Sequence, residues 1–155
     1  MNEHVALRPM ADSYTVDVHA WTQAQVELLR ASRFDLVDVE NIIEEIESLG
    51  NEIEHAIESH LVVALEHLIK LAVSADRNPR RLWQTSVANA RGQIERRLRK
   101  NPSLRRKLPA MFADVWPDAR RQARLGLREA EESFVPTNPP FTLAEALDPD
   151  FFPGD

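Results

Sequence analysis

Glu40, Glu44, Glu47 and Glu58 recur at helical spacing, with Glu54 at the edge of the same row and Glu45 and Glu52 on the opposite flank. Such a row has two uses: it takes a hard cation such as Mg²⁺ or Ca²⁺ through several oxygen ligands, or it meets a basic partner. A purely structural role fits the same pattern. Like charges four residues apart repel on a lone helix, and facing water or arginines relieves that. Further along, His60 and His67 project onto the stripe that holds Ile46, Leu49, Ile53, Ala64 and Leu71. Inward-facing histidines ligate a metal, titrate near neutral pH, or rest satisfied by hydrogen bonds in a polar pocket of the core. These two stand roughly 10 Å apart along a helix axis, too far for one metal to take both easily. Glu52-Ile-Glu-His55 matches the Glu-x-x-His spacing of di-iron bundles, but such a site needs a second copy of the motif and two further glutamates, and no second copy is present.

The second chemical group is basic. Residues 77–107 hold eleven Lys and Arg and one acid, Glu95, whereas residues 35–58 hold nine acids and no Lys or Arg. Arginine suits phosphate through forked hydrogen bonds. Against nucleic acid, the aromatic residues are not interleaved with the arginines, and about half of the block has an acidic helix to pair with. The net charge of −6 disfavours nonspecific nucleic-acid binding by the molecule as a whole without excluding a local basic site. Ser86, Ser103 and the threonines lack the setting of a nucleophile elbow, and no glycine-rich phosphate loop is present. The chain has no cysteine, which removes disulfides, thiolate zinc sites and cysteine nucleophiles together and agrees with a reducing compartment. No apolar run approaches the roughly 18 to 20 residues of a membrane span, and no signal-peptide pattern opens the chain, so a cytoplasmic protein without membrane contact is expected.

Helices must position these groups. Up to about Tyr14 the chain is unpatterned and reads as a loose arm. Asp17 is placed to cap a helix whose apolar positions run from Val18 to Leu29, ending before the turn at Ser32-Arg33. Asp38 is placed to cap a longer one, whose apolar positions from Ile42 to Leu71 step by three or four. Gly50 falls inside it, so either one kinked helix or two collinear ones, the second capped by Asn51, would serve. Pro79 opens a third helix over about Arg80 to Lys100. Beyond Asn101-Pro102, Pro109 and Pro117 predict short helical pieces joined at angles. After Ser133 the chain is rich in proline and phenylalanine, too aromatic for disorder, and Thr142-Leu-Ala-Glu145 is a capping box that predicts a short helix within the tail. No strand pattern and no fixed-period repeat competes.

Several segments resemble a bacterial family known as domain of unknown function 29. They are the run from Asp38 to Gly50 with Glu44, Glu45, Ile46 and Glu47, then His67-Leu-Ile-Lys70, Trp83, Pro102-Ser-Leu104, Ala119-Arg120, Pro139-Pro-Phe-Thr-Leu143 and Leu147-Asp-Pro-Asp-Phe151. They keep their order from about Tyr14 to Pro153. The chain departs from the pattern at Leu71, where an aromatic usually follows the lysine, and at Pro117, where tyrosine is common. The resemblance implies a small all-helical fold without an established activity, and singles out Glu44, Glu45, Glu47 and His67.

Together these readings predict an all-α protein, an irregular bundle of four to six helices with a proline-rich C-terminal strap. Residues 1–14 form the arm, 15–132 the bundle, and 133–155 an extended tail packed on the same domain, with the acidic helix lying against the basic third helix. The candidate functional cluster is Glu44, Glu45, Glu47 and His67. The candidate basic surface comprises Arg80, Arg81, Arg91, Arg96 and Arg97. No metal site and no cofactor are assigned, and the missing catalytic motif leans away from an enzyme. The leading expectation is a protein-interaction or regulatory module with an unknown protein partner, a homo-oligomer being one option. The alternatives are nucleic-acid or phosphate binding through the Arg80 to Lys107 surface, and a metal-dependent enzyme using Glu44, Glu47 and His67.

Overall fold

A computed structural model describes residues Met10 to Gly154. Of the arm expected over residues 1–14, residues 1–9 lie outside the described residues, and Met10–Val16 is a helix, α1. Six further α-helices follow: α2 (Val18–Arg30), α3 (Val39–Val73), α4 (Arg80–Lys100), α5 (Leu108–Leu125), α6 (Glu129–Glu132) and α7 (Leu143–Leu147). Short 3-10 turns at Phe34–Leu36 and Pro102–Lys107 complete the path, and no strand occurs among the described residues. The chain is therefore all-α, as expected. Its seven α-helices exceed the four to six predicted because short elements such as α1 and α6 leave no full apolar period in the sequence. The chain divides into two compact units whose boundary falls between Asn51 and Glu52.

In the first unit, Asp17 caps α2 by accepting from the Ala20 N–H at 2.9 Å. The helix ends on Ser32, whose φ of 56° lies in the left-handed region, with the Arg33 N–H returning to the Leu28 carbonyl at 2.9 Å. Asp38 caps α3 through Oδ1, which accepts from the Asn41 N–H at 3.4 Å. Gly50 does not end the helix: α3 runs 35 residues without interruption, and Asn51 lies inside it. Tertiary support over the rest of the length offsets the roughly 1 kcal/mol that a glycine costs there.

The second unit holds the main core. Ile57, Leu61, Leu65, Leu68, Ile69 and Leu71 of α3 are fully buried, with Val87, Ile94 and Leu98 of α4 and Met111, Val115, Trp116, Ala119 and Ala123 of α5. Pro109 and Pro117 do not divide the last of these into angled pieces, contrary to the sequence expectation. Pro109 sits in the first turn, where its missing N–H would have no partner anyway. Pro117 lies inside the helix, but both it and Ala113, whose carbonyl loses its helical donor, are exposed, so the lost hydrogen bond falls on the solvent side of the helix.

The tail after Ser133 packs on this unit. Proline-rich backbone offers carbonyls but few donors, so the bundle supplies donors from side chains. Trp116 Nε1 donates to the Thr137 carbonyl at 2.8 Å and Arg120 Nε to the Pro136 carbonyl at 2.9 Å. Arg91, only 6% exposed, donates Nε to the Ala146 carbonyl at 2.9 Å and one terminal nitrogen to the Phe151 and Glu145 carbonyls at 2.9 and 3.3 Å. Its guanidinium also lies 5.1 Å from the Phe152 ring centre. Phe141 meets Trp116 and Phe151 edge to face. The capping box of α7 forms as expected, Thr142 and Glu145 exchanging side-chain to backbone hydrogen bonds.

Arg91→Ala leaves three tail carbonyls without donors and removes the stacked guanidinium. It is expected to cost about 2 to 4 kcal/mol in urea unfolding and to expose residues beyond Ser133 to limited proteolysis.

Candidate functional site

The acidic candidates Glu44, Glu45 and Glu47 belong to the first unit, and all three are exposed on α3. Glu45 accepts from the Tyr14 hydroxyl at 2.8 Å. That hydrogen bond, followed by partial desolvation and the charges of Glu44, Glu45 and Asp38, pushes the Tyr14 phenol up to about 12. Glu40, Glu44, Glu47 and Glu52 have no cation partner among the described residues.

The best-connected acid of this unit is Asp38. It accepts from Asn41 Nδ2 at 2.7 Å and Trp21 Nε1 at 3.1 Å, while its own N–H donates to Gln25 Oε1 at 2.9 Å. The Asn41 hydrogen bond first, and then Trp21, hold its carboxyl below the ordinary value despite the opposing effect of burial. Trp21 and Gln25 are the only buried side chains among the described residues of the unit. Gln25 Nε2 has no hydrogen-bond partner. Asp38 thus joins the start of α3 to α2, a link absent from the helical periodicity because Trp21, Gln25 and Asp38 come from separate segments. Beside this link α2 and α3 enclose a groove of about 350 Å³, lined among others by Val26, Leu29, Ile42, Ile46 and Leu49.

His67, grouped with the glutamates in the sequence, lies in the second unit, twenty residues beyond Glu47 along α3. The four candidates are thus divided between the two units. Half-buried, His67 Nδ1 lies 2.8 Å from the Val63 carbonyl, the contact of an imidazole N–H donating to its own helix. Its close neighbours went unread in the sequence: Glu66 accepts from the ammonium of Lys70 at 2.5 Å, and Lys70 is only 7% exposed. A methyl added at Gly126, just past α5, would meet that ammonium, so the end of the Lys70 side chain would have to shift. The Glu66 to Lys70 spacing is itself a helical ion pair, the signal that could have found it. His60 is half-buried, and burial, with the Arg97 charge adding to it, lowers its pKa below the ordinary value. His55 is exposed and hydrogen-bonded to Glu58 at 2.9 Å. Among the described residues no three His, Asp or Glu side chains converge as ligands for a metal ion.

The basic block divides. Arg91 belongs to the interior rather than to a surface, as its tail contacts require. Arg80 is turned to the tail as well, donating to the Leu71 and Pro153 carbonyls at 2.9 and 3.0 Å. Arg81 and Arg96 are exposed, and Arg97 is half-buried and held by Gln93 Oε1 at 2.9 Å. Expected pairing with the acidic run reduces, among the described residues, to Lys107 with Glu54. Within the second unit, the start of its α3 segment and the end of α4 frame an open groove of about 560 Å³, lined by Glu52, Ile53, Gln93, Arg96, Arg97 and Lys100.

Residues 13–152 match the family model described as domain of unknown function DUF29. The chain belongs to the DUF29 family. No curated protein and no solved structure matches it. Family membership covers both compact units and both candidate groups, and it carries no assigned activity. Among the described residues, no helix of this DUF29 chain is long and apolar enough to cross a membrane.

The depressed pKa of His60 gives a pH dependence. The folded state binds a proton less readily than the unfolded state, so this contribution is fully present above the unfolded value near 6.5 and is lost as pH falls through the lower folded value. The urea midpoint should therefore drop more between pH 7.5 and 5.5 for the wild type than for His60→Gln.

Proposed function

We propose that this DUF29 chain is a protein-interaction or regulatory module that works through its first unit. One observation supports this above the others: the unit buries only Trp21 and Gln25, yet nine of the twelve large apolar side chains exposed among the described residues lie in it. Val39, Ile43, Ile46 and Leu49 are all half exposed or more, Ile46 at 64%. They share one stripe of α3, and covering what remains open is worth about 1 kcal/mol apiece. Scattered exposed leucines are ordinary in monomers, but a contiguous apolar stripe beside an apolar groove is the usual form of a docking surface.

A second reading rests on a separate feature. Arg96 and Lys100 line the groove of the second unit and have no acidic partner among the described residues. Phosphate or nucleic acid would fit them. This reading ranks lower because basic residues in the last turn of a helix already complement its dipole, which accounts for Arg97, Arg99 and Lys100 without a ligand. The metal-dependent reading finds no support in the arrangement of Glu44, Glu47 and His67, which the two units divide between them.

Affinity capture of the tagged chain from its own cells, with half of each sample treated with nuclease, tests the ranking. A protein partner should survive nuclease with the wild type and be lost with Ile43→Ser/Ile46→Ser. Loss of all co-purifying protein on nuclease treatment would reverse the ranking. In that case Arg96→Gln/Lys100→Gln should abolish binding to single-stranded homopolymer and flatten its salt dependence by about two phosphate contacts.

A further inference from the structure

Resting on the interaction-module reading, we propose that the open face of α3 in the first unit docks an amphipathic helix of a partner protein that carries Lys or Arg beside its apolar stripe. At about 100° per residue, Val39, Ile43, Ile46 and Gly50 fall within roughly 60° of one another on the helix surface. Ile42, Leu49 and Glu45 lie to one side of them and line the groove with α2. Glu40, Glu44 and Glu47 lie to the other side, exposed and without cation partners among the described residues.

Three features select the occupant. The face is a stripe at helical spacing, which an apolar helix face covers with matching period. The charges of its free rim are carboxylates, Glu40, Glu44 and Glu47, so a helix with basic flanks is attracted where an acidic one is repelled. The run from Asp35 to Glu58 has nine acids and no Lys or Arg, so a second copy laid α3 against α3 sets like charges together. Gly50 completes the fit. A methyl added there meets nothing within 4 Å in this chain, so the position is open and admits close approach of a helix backbone. A methyl placed there therefore clashes with nothing in the free chain and can obstruct an occupant.

The test is fluorescence anisotropy with the full chain and a labelled synthetic amphipathic peptide that has a leucine stripe flanked by lysines. Two control peptides carry glutamates in the flanks or the same residues in scrambled order. The lysine-flanked peptide should bind about tenfold more tightly than either control and weaken with salt. Ile43→Ser/Ile46→Ser should weaken it by about tenfold or more. Gly50→Ala should weaken it several-fold while raising the Tm of the free chain, since alanine favours helix. Equal binding of the glutamate-flanked peptide, or binding indifferent to both the isoleucine pair and Gly50, would overturn the proposal. Sedimentation showing a dimer that Ile43→Ser/Ile46→Ser dissociates would make a second copy the occupant. That result overturns the basic helix and leaves the interaction-module reading standing. If cellular capture is likewise indifferent to the isoleucine pair, the broader reading falls as well.

Discussion

A single apolar stripe on α3 sets the terms for everything else. Ile57, Leu61, Ala64 and Leu68 fall at the same angle around the helix as Val39, Ile43, Ile46 and Gly50. In the second unit that stripe is the centre of the core, with Ile57, Leu61, Ala64 and Leu68 fully buried. In the first unit the same stripe is open to solvent. Burial of Ile57, Leu61, Ala64 and Leu68 stabilises the α3 segment of the second unit, because most helical stability comes from packing of an apolar face.

The second unit secures its end of α3 by an arrangement in which polar donors matter as much as apolar area. The tail provides Val135, Phe141 and Ala146 to the core, but its carbonyls would be costly to bury without partners. Arg91, Arg80, Arg120 and Trp116 answer them. Burial pulls the pKa of Arg91 below its ordinary value, and the ring of Phe152 and three carbonyls compensate the desolvated charge. Arginine fits this position because its planar fork reaches several acceptors at once and remains charged.

Charge sorting along the chain serves less to join the acidic helix to the basic one than the sequence implied. Most of the carboxylates of residues 35–58 have no cation partner among the described residues, and arginines of α4 turn inward to the tail, locally to Gln93, or to an open groove, while Arg105 beyond α4 takes Glu95. Unpaired charge on an exposed face contributes little to folding, but it steers association and sets which partners are repelled.

Periodicity and capping residues were sufficient for the elements themselves. Asp17, Asp38, Pro79 and the Thr142 to Glu145 box mark ends that the structure shares, because capping is local chemistry between residues two or three apart. The family could be read from short ordered motifs for the same reason. Tertiary structure alone decided that α3 continues through Gly50, that Pro117 sits within one helix, and that Arg91 is an interior donor rather than part of a basic surface. It also decided that the His67 ring turns back on the Val63 carbonyl beside the Glu66 to Lys70 pair. Each of these depends on which distant segment covers a given turn of helix. One stripe of isoleucines and leucines has the same period whether or not another element covers it, so only packing shows which half is core and which half is surface.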